Sequence, residues 1–127
     1  MLHHLSFAVA DLNRSAAFYD AVLTPLGYVR VWEDNRAVGY GRPGESDEFA
    51  IKLRPKLATV PGDGFHVAFA APSRGAVNAF YAAALAHDGR DNGGCSLHAE
   101  YGNDYYAAYV FDPDGYPIEA VINDPAA

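Results

Sequence analysis

A fixed internal offset constrains this chain more than any other feature. Sliding the sequence against itself by 62 positions lays His4 on His66, Phe7 on Phe69 and Ala8 on Ala70. Further on, Ala17, Phe18, Tyr19, Ala21, Leu23 and Gly27 fall on Ala79, Phe80, Tyr81, Ala83, Leu85 and Gly89. That makes nine identities across positions 4 to 27 without a gap, where random pairing would give roughly one or two. The histidine, the phenylalanine and the Phe-Tyr pair carry the signal, since alanine coincidences are common. Asp11 falls on Ser73, and both residue types cap helix N-termini. A period near 62 exceeds the roughly 20–50 residues of solenoid repeats. It suits a duplicated supersecondary module, so both halves should share one coarse structure.

The local patterns agree. His4 to Ala10 alternates as a strand, Asp11 caps a helix over Asn13 to Leu23, and Pro25 and Gly27 stop it. Tyr28 to Trp32, Ala37 to Gly41 and Glu48 to Arg54 read as strands. Pro55 to Gly64 is turn-rich. The order then recurs: a strand over Phe65 to Ala71, a helix over Ser73 to Ala86, a Gly-rich loop over Asp88 to Gly94, and strands over Ser96 to Tyr101, Tyr105 to Phe111 and Pro117 to Ile122. Asp112-Pro113-Asp114-Gly115 is a tight-turn signal. Each half therefore reads β-α-β-β-β. At about 60 residues neither half can bury a sheet face alone, so the two should combine. The expectation is one α+β domain over 1–127, with module one at 1–55, a linker at 56–63 and module two at 64–127.

Composition narrows the function classes. The 127 residues carry 9 Lys+Arg against 16 Asp+Glu, a formal charge of -7, with no evident basic patch. Such a chain repels phosphate backbones, so nucleic acid is excluded as an expected partner. Cys95 is the single cysteine, which rules out an intrachain disulfide and a thiolate zinc knuckle. The apolar runs stop well short of membrane-spanning length, and the N-terminal MLHHLSFAVAD lacks a basic region and a signal-like cleavage site. No membrane association and a cytoplasmic location are expected.

Of the five histidines, His4 and His66 coincide in the repeat, each early in the first strand of its module. Equivalent residues of modules related by a pseudo-twofold axis can meet near that axis, and neutral imidazoles there suit Zn, Fe, Mn, Ni or Co. Glu119 stands between Ile118 and Ala120 on the last strand. A carboxylate within an apolar strand is costly unless paired or bound to a cation. His4, His66 and Glu119 would form a two-histidine, one-carboxylate set with positions open to substrate or water. His3, His87 and His98 read instead as surface, helix-end or hydrogen-bonded residues. Tyr101, Tyr105, Tyr106 and Tyr109 suit either a hydrogen-bonding cavity wall or core filling.

These residues carry a family resemblance. HLSFAVADLNRSAAFYDAVLTPLGY, FHVAFAAPSRGAVNAFYAAALAHDG and FDPDGYPIEAV resemble the motifs of the vicinal-oxygen-chelate superfamily. That group includes glyoxalase I, extradiol dioxygenases, fosfomycin-resistance enzymes, methylmalonyl-CoA epimerase and bleomycin-binding proteins. The resemblance implies two βαβββ modules forming a cupped mixed sheet, with helices on the outer face, around a divalent metal acting as Lewis acid. It also implies a homodimer, with the site in some relatives built across the interface. One departure matters: the family has a further carboxylate ligand on the last strand of module one, whereas in EFAIKLR Ala50 and Lys52 share the parity of Glu119 and the one same-parity carboxylate, Glu48, stands at the strand's edge.

The expected function is thus a small metalloenzyme performing lyase, isomerase or dioxygenase chemistry on an oxygenated small molecule. Glu119 and Tyr106 are its candidate catalytic residues. Lys52, Trp32 and Tyr101 are its candidate substrate contacts, with Lys52 suited to an anionic group. The alternative is a non-catalytic binding protein of the bleomycin-resistance type, its acidic charge suiting a cationic ligand and its Trp32 and tyrosines suiting flat groups.

Overall fold

The structure is a computed structural model that describes residues 1–56 and 60–125. Positions 57–59 of the expected linker lie outside the described residues. In module one, β1 (Leu5–Val9) leads into α1 (Leu12–Leu23), then β2 (Val29–Glu33), β3 (Ala37–Gly41) and β4 (Phe49–Leu53). Module two repeats the order with β5 (Val67–Ala70), α2 (Arg74–Ala86), β6 (Arg90–Leu97), β7 (Tyr105–Phe111) and β8 (Pro117–Asn123). Both helices start as the repeat requires. The Asp11 carboxylate accepts from the Arg14 amide at 3.1 Å, and the Ser73 hydroxyl from the Ala76 amide at 3.0 Å. α1 ends where Thr24 donates its hydroxyl back to the Asp20 carbonyl. Pro25 follows, and Gly27 takes a left-handed turn at φ +93° that other residues resist.

The strands form two four-stranded mixed sheets, ordered β1-β4-β3-β2 and β5-β8-β7-β6. In each, the first strand runs parallel to the last and the other pairings are antiparallel. Alternation sends Phe7, Val9, Val38, Tyr40, Phe49 and Ile51 from sheet one, and Val110, Ile118 and Ala120 from sheet two, into one shared core with the helices. α1 and α2 pack on each other within it. Rings bridge the modules: Phe7 stacks on Tyr116 at 4.1 Å between centroids and Phe49 meets Phe69 edge-on at 5.2 Å. Such pairs each contribute about 0.5–1.5 kcal/mol beyond their burial.

The second half departs from expectation at one strand. Asp88 to Gly94 reads as a loop, yet β6 already begins at Arg90 and ends at Leu97 instead of reaching Tyr101. The ladder tolerates the glycines because it bulges between Asp91 and Gly94. The Asp91 carboxylate accepts from the amides of Gly93 and Gly94 there, and both glycines have positive φ.

A buried carboxylate ties the modules. Asp112, 1% exposed, accepts the Tyr19 hydroxyl from α1 at 2.6 Å and the amides of Asp114 and Tyr116 in its own turn at 2.9 Å. Asp114 extends the tie by accepting from the Ala10 amide, Arg14 and Ser15. Burial raises the Asp112 carboxyl to about 6, against the opposing pull of its hydrogen bonds from Tyr19 and the turn amides. A carboxyl that holds its proton more tightly folded than unfolded stabilises the fold below its ordinary range, near pH 4. That contribution is lost as pH rises through 6. A shift of roughly two units corresponds to about 3 kcal/mol. Urea unfolding at pH 4 and pH 7 should therefore show a loss of this order in the wild type, largely absent in Asp112→Asn.

Candidate functional site

The site is built on the sheet faces turned away from the shared core. Register makes the two faces directly comparable. Leu5 pairs with Phe49 as Val67 pairs with Ile118, so Ala50 occupies in module one the position of Glu119 in module two. One rung across sheet one reads Ser6, Ala50, Gly39, Trp32. The equivalent rung across sheet two begins Ala68, Glu119, Tyr109, with Gly94 beside the bulge.

Glu119 is 1% exposed. Its two oxygens are both engaged: Oε2 accepts the Tyr105 hydroxyl at 2.5 Å, and Oε1 lies 3.2 Å from Nε2 of His66. The His66 side chain is 55% exposed, so its imidazole links the buried carboxylate to the surface. Tyr105 and Tyr109 share this face because Tyr109 pairs with Glu119 across the ladder. Burial, together with the neighbouring Glu119 carboxylate, raises both phenols, Tyr109 to about 12. They therefore keep their protons at neutral pH and act as donors.

His98 adjoins this group, which the sequence did not signal. Its ring stands edge-on to Tyr109 at 5.1 Å and to Tyr105 at 6.3 Å, and lies over Tyr101 at 6.0 Å. Its nitrogens reach Glu100 at 3.0 Å and Ser96 at 3.3 Å. Ser96 and His98 share parity within the expected strand, but alternation alone does not show that His98 meets the rings of β7.

The expected site residues divide accordingly. His66 and Glu119 come together. His4 does not join them: its Nδ1 lies 2.9 Å from Nδ1 of His3, at the start of β1 in the other sheet. Among the described residues, no group of three His, Cys, Asp or Glu converges. Tyr101 is 61% exposed at the edge of the His98 rings. Tyr106 is a correction. It pairs with Ile122 and faces α2, donating its hydroxyl to Asn78 at 2.6 Å beneath the Arg74 guanidinium. β7 alternation places it on the face opposite Tyr105 and Tyr109, so it cannot act beside Glu119. Lys52 lies on the open face of sheet one, paired with Ala8 and Ala37.

Trp32 reaches the same face through a local irregularity. The β2–β3 ladder slips between Arg30 and Trp32. Arg30 is thereby aimed at Asp20 of α1 and Trp32 at the opposite face. Its indole rests directly on Gly39, where any Cβ would overlap the ring. Gly39→Ala should displace the indole, shift the emission of this single tryptophan to the red and cost about 1–3 kcal/mol. Fluorescence and urea unfolding check both effects.

With this geometry in place, the comparisons identify the class. Residues 1–120 match the model of the Glyoxalase/Bleomycin resistance protein/Dioxygenase superfamily. The chain belongs to that superfamily. A glyoxalase/bleomycin resistance protein from Albidiferax ferrireducens is similar at 32% identity and a TM-score of 0.82, over 95% of this chain and 97% of that one. The fold also matches a glyoxalase-related enzyme from Fulvimarina pelagi at 18% identity and a TM-score of 0.74, over 97% and 88% of the two chains. A third match is a glyoxalase/bleomycin resistance protein/dioxygenase family enzyme from Burkholderia phytofirmans, at 14% identity and a TM-score of 0.71, over 96% and 98%. No curated protein matches the sequence. Among the described residues, no helix is long and apolar enough to cross a membrane.

Proposed function

We propose that this chain is a small metalloenzyme that acts on an oxygenated small molecule, with His66, Glu119 and His4 as ligands of a divalent metal. The observation that supports it most is the pairing of a buried carboxylate with a solvent-reaching imidazole. One nitrogen and one oxygen donor stand 3.2 Å apart on one face, a donor set suited to Zn, Fe, Mn, Ni or Co. When bound, the metal would supply Lewis-acid polarisation of substrate oxygens, in lyase, isomerase or dioxygenase chemistry. Tyr105, donating to Glu119, orients the carboxylate. Tyr109 offers a second phenol proton on the same face in place of Tyr106.

His4 completes the set from a second copy of the chain in this reading. The support is its position immediately before β1, whose one hydrogen-bonded neighbour among the described strands is β4, just as β5 has β8 alone. Both strands that the two histidines lead into thus present a free edge for a homodimer. Lys52, Trp32 and Tyr101 would contact the substrate.

A second reading has its own observation. The rings of His98, Tyr101 and Tyr105 with Trp32 offer flat surfaces for a sequestered aromatic or cationic ligand.

Calorimetry with metal-stripped protein separates the two. The enzyme reading expects stoichiometric uptake of Co(II) or Ni(II). His66→Ala should weaken uptake by more than the roughly 10–100-fold that an outer-shell partner is worth, with circular dichroism confirming the fold. Undiminished uptake by that variant would remove the ligand assignment. Mixing His4→Ala with Glu119→Gln chains should restore part of the uptake if the site spans two copies, and none if it lies within one.

A further inference from the structure

The nine cations of the chain divide sharply by environment. Arg14 and Arg30 form ion pairs with Asp114, Asp20 and Glu33. Arg42, Arg74 and Arg90 lie over the rings of Tyr28, Tyr106 and Phe111. The remaining four, Arg36, Lys52, Arg54 and Lys56, gather where β3 begins and β4 ends. Among the described residues none of these four has an acidic partner within ion-pair distance. Positions 57–59 are Leu, Ala and Thr and bring no carboxylate. The nearest acid in sequence, Asp34, is engaged by the amides of Arg36 and Ala37 at 2.8 and 2.9 Å.

The two guanidinium groups are also held together. Arg36 Nη2 donates to the Leu53 carbonyl at 3.4 Å, and Arg54 Nη1 donates to the same oxygen at 2.7 Å. Two like charges on one acceptor repel, and an anion between them would offset that repulsion. Both retain unused N–H donors, and with Pro55 and Lys56 they line a recess of about 240 Å³. In a chain of net charge -7, a solvated protein surface has no general reason to concentrate its unpaired cations at one corner.

We propose that this corner is an oxyanion site, in which Arg36, Arg54 and Lys56 hold the phosphoryl group of a small molecule through charge-assisted hydrogen bonds. Lys52 stands two residues from Arg54 on the same face of β4, between the recess and the Ala50–Trp32 rung. At about 3.3 Å per residue, Arg54 lies ~13 Å from Ala50 along the strand. A ligand anchored by its phosphoryl group therefore extends past Lys52 and across the open face of sheet one. That extension rests on the function proposed above; the anion site does not.

The test is an amide chemical-shift titration of metal-free protein with inorganic phosphate at constant ionic strength. Saturable shifts are expected at residues 36–38, 52–54 and 56. Arg36→Gln and Arg54→Gln should each weaken binding roughly tenfold, the value of one charge-assisted bond, and Arg90→Gln should leave it unchanged. Acetate at equal concentration should shift these amides little. Absent or unsaturable shifts, or shifts indifferent to Arg54→Gln, would overturn the site, and an equal response to acetate would overturn the phosphoryl assignment. His66→Ala should bind phosphate like the wild type, so a failed metal centre and a failed anion site give different results.

Discussion

Two four-stranded sheets, each with an apolar face too large for one helix to cover, leave this molecule a single way to stay dry: the modules must share a core. The junction that does this combines packing with a satisfied charge. Phe7, Phe49, Phe69 and Tyr116 interlock across the modules. Asp112 anchors the β7–β8 turn to Tyr19 of α1. Removing a buried carboxylate's partners costs more than the bonds themselves are worth, because the charge is then stranded. The turn that carries Asp112 also sets where β8 begins. Through the β8 register it sets which residues of that strand face the core and which face outward. The position of Glu119 is thus a consequence of the junction.

Duplication gave both modules the same scaffold and different faces. Equivalent caps, parallel first-to-last strand pairs and identical sheet orders recur. On the equivalent rungs, however, module two carries a carboxylate and a phenol where module one carries alanine and glycine. The buried carboxylate is tolerable because its oxygens meet Tyr105 and His66. Bulges at different points of β2 and β6 then shape what each face presents: an indole in one, a glycine turn in the other.

How much of this was legible in the sequence depends on how local each determinant is. The helix caps and most strands rest on nearest-neighbour chemistry, the 62-residue offset on comparing the chain with itself, and the structure reproduces them. β6 was misplaced because Gly93 and Gly94 carry loop composition, whereas the ladder absorbs them as a bulge held by the Asp91 side chain. Tyr106 was chosen over its neighbours as a catalytic candidate for a different reason. β7 alternates aromatic and small residues on both parities, so only pairing with β8 distinguishes Tyr105 and Tyr109 from Tyr106. His66 and Glu119 were legible as a pair because repeat position and apolar context each mark one of them. What completes the group was not, since alternation identifies a face but not what stands opposite it.

The seating of Trp32 on Gly39 has an evolutionary corollary. A more symmetric centre would need a carboxylate at Ala50, on a rung where the indole already fills the space over Gly39 and where glycine stands in place of the Tyr109 phenol. Such a carboxylate would lack a phenol donor across the ladder until neighbouring positions had also changed. The path from a site with one carboxylate to one with two is therefore epistatic, requiring concerted substitutions across three strands. The asymmetry between the halves is hard to reverse, and the indole acts as its ratchet.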